Sequence, residues 1–276
     1  MDNEITLITN FFDIGRGNLP KQKHGIILPH FQHRSTEVYF NYFDKLAKIK
    51  NDMIVYTSKE YADRIYSIRK KYGLEDRTKI IALDSYCFEP KVFEPWKKRI
   101  SEIMEDPKFY NRIDKPHFVE YWWPDYTLIQ LMKVFYVNHA IENGLVNTNL
   151  TAWIDFGYCR DDVTLPPSNE WKYGFNPDKM HLFSVRPVEP KRPIDDIIFR
   201  GDVYVMGCHI IGGKEQWPKF KESVLKNFQL LLDNNLVHYD QTLYLMSYLI
   251  NQDNFELRYA SDNDWFVVFR KFNELA

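Results

Sequence analysis

Apolar positions along this chain fall in short runs separated by polar stretches with helical spacing. Residues 5–12, ITLITNFF, are β-branched and aromatic and stop at the turn-forming DIGRGN, which predicts a strand followed by a glycine-bearing loop. The spacing predicts a helix over about 35–50, with Ser35 as N-cap and Glu37 in the first turn. MIVYTS (53–58) is a short apolar run of the kind buried on both faces of a parallel sheet. SKEYADRIYSIRKKYG then reads as an amphipathic helix capped by Ser58 and ended by Gly73, and KIIALD (79–84) as a third strand. Strand, helix, strand at this rhythm is the pattern of βαβ units.

Periodicity weakens up to residue 123, where Trp, Lys, Glu and Pro abound, and helices with a mobile connection are expected. Residues 124–144, PDYTLIQLMKVFYVNHAIENG, predict a strong helix that starts at Pro124 and stops at Asn143-Gly144. TAWIDF follows as a fourth buried strand. The Pro-rich, polar stretch 161–198 predicts a long excursion or flap. DVYVMGCHIIGG suggests two short strands around Gly207, closed by a double glycine. WPKFKESVLKNFQLLLDNN and HYDQTLYLMSYLINQ read as helices, and FELRYA and WFVVFRKF as closing strands. With no repeat, low-complexity tract or linker, one α/β domain is expected.

At 276 residues, 45% hydrophobic and 27% charged, the chain can bury a sizeable core. A formal charge of −2 and a pI near 6.5 give no global field for nucleic acid, so no nucleic-acid partner is expected. The aromatic share of 16% serves either a Phe/Tyr-rich core or stacking surfaces for a base or sugar ring. Cys87, Cys159 and Cys208 are odd in number and lack metal spacing, which points to free thiols in a reducing compartment. The N-terminus shows no signal-peptide pattern, and no apolar run approaches the roughly 20 residues of a membrane span. A soluble, cytoplasmic protein is expected.

Four segments carry candidate chemistry. In TAWIDFGYCRDD, an apolar strand delivers Asp155 beside the turn at Gly157, with Asp161 and Asp162 close behind. A carboxylate at that place suits the ligand crevice of an open α/β sheet and the hard-oxygen demand of a divalent cation, but it equally suits a turn. In CHIIGGKEQW, Gly212 and Gly213 permit close backbone approach to a ligand or a sharp turn, and His209 reads as a packed strand histidine. In HYDQTLYL, Asp240 and Gln241 open a helix, as cleft groups or as caps, and His238 is a further ligand or a satisfied core group. In TNFFDIGRGN, Arg16 between glycines could grip a phosphate. GxGxxG, GKS/T, GxSxG and HExxH motifs are all lacking, so Rossmann dehydrogenase and P-loop NTPase chemistry find no support.

The order of these pieces resembles a GT-A-type, nucleotide-sugar-dependent glycosyltransferase: a first-strand loop, a long helix carrying Lys133, a strand ending at Asp155, a double glycine, then Asp-Gln on a late helix. More narrowly, ITLITNFFDIGRGN, MIVYTS, Tyr110-Asn111, YTLIQLMKVFYVNHAI, AWIDFGY, HIIGG and YDQTLYL resemble the HtrL/YibB (WlaTC-like) family of bacterial surface-polysaccharide gene clusters. The resemblance implies a single GT-A-like α/β domain with a mixed, mainly parallel central sheet flanked by helices. Its nucleotide-binding half would span about 1–158 and its acceptor and sugar half about 159–276. It implies donor contacts from Thr9, Phe11, Arg16, Tyr56, Lys133, Asp155, Gly157, Gly212 and Gly213, with Arg16 and Lys133 on phosphate. Asp240 and Gln241 would face the reacting sugar, and a divalent cation, Mn²⁺ or Mg²⁺, would sit on Asp155 with His238.

One departure stands out: the turn is Asp155-Phe156-Gly157, without the second carboxylate of an Asp-X-Asp. Arg16, Lys133 or Arg160 would have to supply the missing charge in a metal-independent version. The leading expectation is a glycosyltransferase that moves a sugar from a nucleotide donor, UDP-sugar by preference, to a glycan or lipid-linked glycan of capsule or lipopolysaccharide. The alternative is a non-catalytic nucleotide-sugar or carbohydrate-binding protein of the same fold, with a two-carboxylate glycan hydrolase third. A lipid-linked acceptor would bring a peripheral contact with the inner membrane, for which KVFEPWKKRI is the candidate stretch, although the same residues suit a solvated helix face.

Overall fold

A computed structural model describes residues 4–274 apart from His24 and Pro190. In chain order its strands are β1 (Ile5–Phe11), β2 (Gln22–Lys23), β3 (Ile26–Ile27), β4 (Met53–Ser58), β5 (Thr78–Leu83), β6 (Leu150–Ile154), β7 (Met180–Ser184), β8 (Val205–Gly213) and β9 (Phe255–Tyr259). The helices are α1 (Thr36–Leu46), α2 (Lys59–Lys71), α3 (Pro90–Glu105), α4 (Pro107–Tyr110), α5 (Pro124–Glu142), α6 (Ile194–Arg200), α7 (Trp217–Asp233), α8 (Asp240–Ile250) and α9 (Val268–Lys271).

Seven strands form one sheet in the order β5-β4-β1-β6-β8-β7-β9, while β2 and β3 make a separate antiparallel pair. Within the sheet β1 runs parallel to β4 and β6, and β8 runs antiparallel to β6 and β7. The sheet is therefore mixed and mainly parallel, with helices on both faces. Strand alternation sorts the core into two layers. Leu150, Ala152 and Ile154 join Phe40, Phe43 and Ile65 on one face. Trp153 joins Leu128, Met132 and Val224 on the other. Asp155 continues the alternation begun by Thr151 and Trp153, which aims it toward α5. That helix is buried on most of its circumference, as its nearly continuous apolar sequence requires.

The helices and strands read from periodicity in the first half are present, with α1 starting at its Ser35 cap and α2 stopping before Gly73, whose φ is +67°. Three readings need correction. First, the 161–198 stretch contains β7, five buried residues between β8 and β9, as well as the start of α6. Second, the two short strands expected around Gly207 are one nine-residue strand, β8, because Gly207 stays extended to pair beside β6. Third, WFVVFRKF forms no strand. Asp264 accepts from the Phe266 amide at 2.9 Å and turns the chain into the single-turn α9, which buries Val268 and Phe269.

KVFEPWKKRI lies on α3. Phe93 and Ile100 are spent in the core, and Lys97 pairs with Asp125 at 2.7 Å. Among the described residues no helix is long and apolar enough to cross a membrane. All three cysteines are free thiols.

The antiparallel course of β8 decides where its glycines lie. Gly213 pairs with Leu150 and Gly212 with Thr151, at the start of β6 rather than at its end. A Cβ on Gly213 would stand 2.1 Å from the Pro177 carbonyl oxygen, and one on Gly212 would meet the Met180 sulfur at 2.4 Å. Gly213 is thus required by packing against backbone, while a side chain at Gly212 would need the Met180 thioether to move. We expect Gly213→Ala to cost about 1–3 kcal/mol, the usual price of overpacking, read as a lower urea midpoint with unchanged slope. An unchanged midpoint would contradict this packing role.

Candidate active-site cleft

The parallel strands leave β1 in opposite directions, to β4 on one side and to β6 on the other, so the switch point of the sheet lies between β1 and β6. Ligands of open α/β sheets bind beyond the carboxyl ends of the strands at such a point. A cleft of about 430 Å³ opens there, between the loop after β1, the Asp155 turn, Gly207 on β8 and the start of α8.

At its floor, Lys133 from α5 donates to Asp240 Oδ2 at 2.7 Å and to the Gly207 carbonyl at 2.9 Å, and forms an ion pair with Asp155 Oδ1 at 2.9 Å. Two hydrogen bonds and a close ion pair with the second carboxylate commit the ammonium to the floor. Burial alone would lower the Lys133 pKa, but Asp155 and Asp240 outweigh it and hold the ammonium charged above its ordinary value. Burial, with the charge of Asp155, pushes the Asp240 carboxyl up, against the pull of Lys133. Asp240 Oδ1 also accepts from the Gln241 amide at 2.9 Å, so both of its oxygens are engaged. Asp155 is anchored differently: Trp153 Nε1 donates to Oδ1 at 2.8 Å, while its other oxygen takes no hydrogen bond among the described residues. Gly207 makes the arrangement fit, since a Cβ there would lie 2.4 Å from Asp240 Oδ2.

The walls carry arginines and aromatic rings. Arg16 donates to the Gln32 carbonyl at 3.1 Å and to Tyr39 Oη at 3.0 Å, and its guanidinium lies 5.0 Å from the Tyr126 ring centroid. Arg160 lies over Tyr42 at 3.9 Å, and Arg34 completes the basic wall. Gln241 Oε1 is buried without a partner.

Of the residues expected from the sequence, the cleft brings together Phe11, Arg16, Lys133, Asp155, Gly157, Asp240 and Gln241. It does not gather Thr9, Tyr56, His238, Gly212 or Gly213. Thr9 and Tyr56 are buried, and Tyr56 hydrogen-bonds His139 Nδ1 at 2.8 Å. His238 spends its ring nitrogens on Thr242 at 2.7 Å and Tyr121 at 3.2 Å, and burial lowers its pKa to about 3. His209 is likewise a buried neutral histidine, ringed by Tyr158, Trp171 and Phe269. The set of Asp155 with His238 is thus not assembled for a cation, and Lys133 stands between the two carboxylates that remain. Among the described residues no group of three or more His, Cys, Asp or Glu is placed to hold a metal ion. The side chains do not fit a protein-held divalent cation.

Arg34, Tyr39, Tyr126 and Gly207 were missed in the sequence. Arg34 precedes a helix cap in an unpatterned segment, and Gly207 was read as a break between strands.

Residues 3–274 match the model of the family described as "Bacterial protein of unknown function (HtrL_YibB)". The chain is 36% identical over 280 residues to Protein HtrL of Escherichia coli (strain K12), covering 99% of this chain and 93% of that relative. The chain belongs to the HtrL/YibB family. Among solved structures it is similar to 4-diphosphocytidyl-2C-methyl-D-erythritol synthase from Anaerococcus prevotii, with TM-score 0.41 and 9% identity over 96% of this chain and 91% of that one.

In this HtrL/YibB member a further acid stands near the cleft. Glu120, partly exposed but densely surrounded, is pushed up to about 7 by burial, reinforced by Asp240 and opposed by Arg16 and Lys115. Between its ordinary value of 4.5 and about 7, the folded chain holds a proton that the unfolded chain has released. The contribution of Glu120 to stability is therefore full below the ordinary value and is lost as pH rises through about 7. The unfolding free energy of the parent minus that of Glu120→Gln should fall with pH across this window, by up to about 1.4 kcal/mol per pH unit. A flat difference would show an ordinary carboxylate.

Removing the ammonium tests the floor of the cleft. Lys133→Met strands a buried carboxylate and should cost about 3–5 kcal/mol in urea unfolding, with part regained when Asp240→Asn is added. A loss below about 1 kcal/mol, the scale of an exposed pair, would deny the anchoring role.

Proposed function

We propose that this protein is a glycosyltransferase that takes its sugar from a nucleotide donor, UDP-sugar by preference, and passes it to a glycan acceptor of the bacterial surface. The observation supporting this is the pairing, within one switch-point cleft, of a buried carboxylate group with an arginine wall. The mixed, mainly parallel sheet is the one a GT-A-like domain would have.

In the transfer, an acceptor hydroxyl oxygen bonds to the anomeric carbon as the bond from that carbon to the diphosphate breaks, and the hydroxyl proton passes to the second oxygen of Asp155 and on to solvent. Positive charge develops on the sugar and negative charge on the departing phosphate. Asp240, with both oxygens engaged, acts through its charge on the sugar side rather than as a mobile base. Asp155 keeps one oxygen for a donor or acceptor hydroxyl, and Gln241 Oε1 offers an unfilled acceptor. Tyr39, Tyr126 and Phe11 supply ring surfaces for the base or sugar.

A second reading, a nucleotide-sugar-binding protein without catalysis, is favoured by one fact: Lys133 already engages both carboxylates. Two measurements separate them. A saturating nucleotide sugar should raise the melting temperature by about 5 °C or more. In a transfer assay Asp240→Ala and Asp155→Ala should each lower turnover by about 100-fold or more. Failure of every nucleotide sugar to bind would sink both readings, and binding without transfer to any glycan acceptor would select the second.

A further inference from the structure

The basic wall of the cleft contains two cations that the protein leaves unneutralised. Among the described residues neither Arg34 nor Arg160 forms an ion pair, although the chain has many exposed ones elsewhere. The acids beside Arg160 are committed: Asp161 accepts from the Thr164 amide at 3.0 Å, and Asp162 binds Lys48 at 2.6 Å. Arg160 Nε is buried without any hydrogen-bond partner. Its guanidinium rests over Tyr42, with which it also hydrogen-bonds, at 3.9 Å and near Phe266 at 5.6 Å, which fixes its plane while Nε stays available to another ligand. Arg34 donates from Nε to the Phe31 carbonyl at 3.3 Å, which leaves both of its terminal nitrogens open. Burial, then the charge of Arg34, holds the Arg160 guanidinium below its ordinary value, so the two cations feel each other across the cleft. An unpaired buried donor and two mutually repelling cations are costs to the empty protein, and an anion with several acceptor oxygens would relieve both.

We infer that Arg34 and Arg160 form a guanidinium clamp for the diphosphate of the nucleotide donor, in the role that a protein-held divalent cation would otherwise fill. This rests on the donor reading above and adds the group that holds the phosphates. Lys133 is already committed to Asp240, Asp155 and the Gly207 carbonyl, and Arg16 is largely tied to Gln32 and Tyr39.

Calorimetry with UDP in EDTA and in Mn²⁺ tests the clamp. UDP should bind in EDTA, and each of Arg34→Gln and Arg160→Gln should weaken it by about 10- to 100-fold, the range for charge-assisted hydrogen bonds. Arg160→Lys keeps the charge but loses the fork and should fall between parent and Gln. Uridine should bind parent and variants alike. Melting temperatures without ligand check folding, and Arg34→Gln carries the test if Arg160→Gln does not fold. UDP binding that requires Mn²⁺ overturns the clamp while leaving the donor reading intact, as does UDP binding in EDTA that neither variant weakens. If neither UDP nor any nucleotide sugar binds under either condition, the donor reading falls and the clamp with it.

Discussion

A single buried ammonium organises the cleft end of this protein. Lys133 reaches from α5 to the ends of β6 and β8 and to the first residue of α8, so four elements meet on one nitrogen. Each neighbour is shaped to allow it. Gly207 has no side chain because Asp240 fills that space. Trp153 steadies Asp155 through its indole N–H, and its ring lies 5.8 Å from the ammonium. Such a buried group is weak evidence for net stability, since desolvation offsets much of the attraction. Its value lies in the geometry: Lys133 and Asp240 would be left buried and unpaired if their elements slid, so the floor of the cleft has one arrangement.

This explains what could and could not be read from the residues. Strands β1, β4, β5 and β6 and helices α1, α2 and α5 announce themselves because caps, glycine stops and apolar periodicity agree locally. Asp155 was legible as a strand-end carboxylate for the same reason. The direction of β8 is not local information. It follows from pairing with β6 and β7, and it carries Gly212 and Gly213 about 16–20 Å from Gly207 at ~3.3 Å per residue. A double glycine that looks like a ligand loop is therefore a packing device at the far end of the strand. His238 misleads in a similar way: beside Asp240 in sequence, it is turned into the core by Thr242 and Tyr121. β7 was hidden because its five residues, only three of them apolar, are too few amid prolines to show a period.

The same comparison sharpens the missing Asp-X-Asp. Gly157 cannot be read merely as a lost ligand, because its position is crowded: a Cβ there would stand 3.2 Å from the Tyr39 ring. A carboxylate side chain at 157 would have to displace the ring that also receives the Arg16 hydrogen bond. The turn is built for a close aromatic wall, and the cationic character of the cleft is supplied from the side by arginines.

The charges are then divided along the cleft. At the floor, one ammonium stands against two carboxylates, a net charge of −1 when both are ionised. At the wall, among the described residues, Arg34 and Arg160 form no ion pair, and Asp13, which also lines the cleft, is taken up by the Gly15 amide at 2.7 Å and the Thr36 hydroxyl at 2.6 Å. A neutral ligand would gain little from that separation, and a uniformly anionic one would be repelled by the floor. A ligand that becomes positive at one end while shedding negative charge at the other would be stabilised at both ends, and most strongly as the charges separate. Preorganised charges of this kind favour the breaking of a sugar–phosphate bond over the mere binding of either half. That is the physical reason for preferring a transferase to a passive sugar-binding protein on this scaffold.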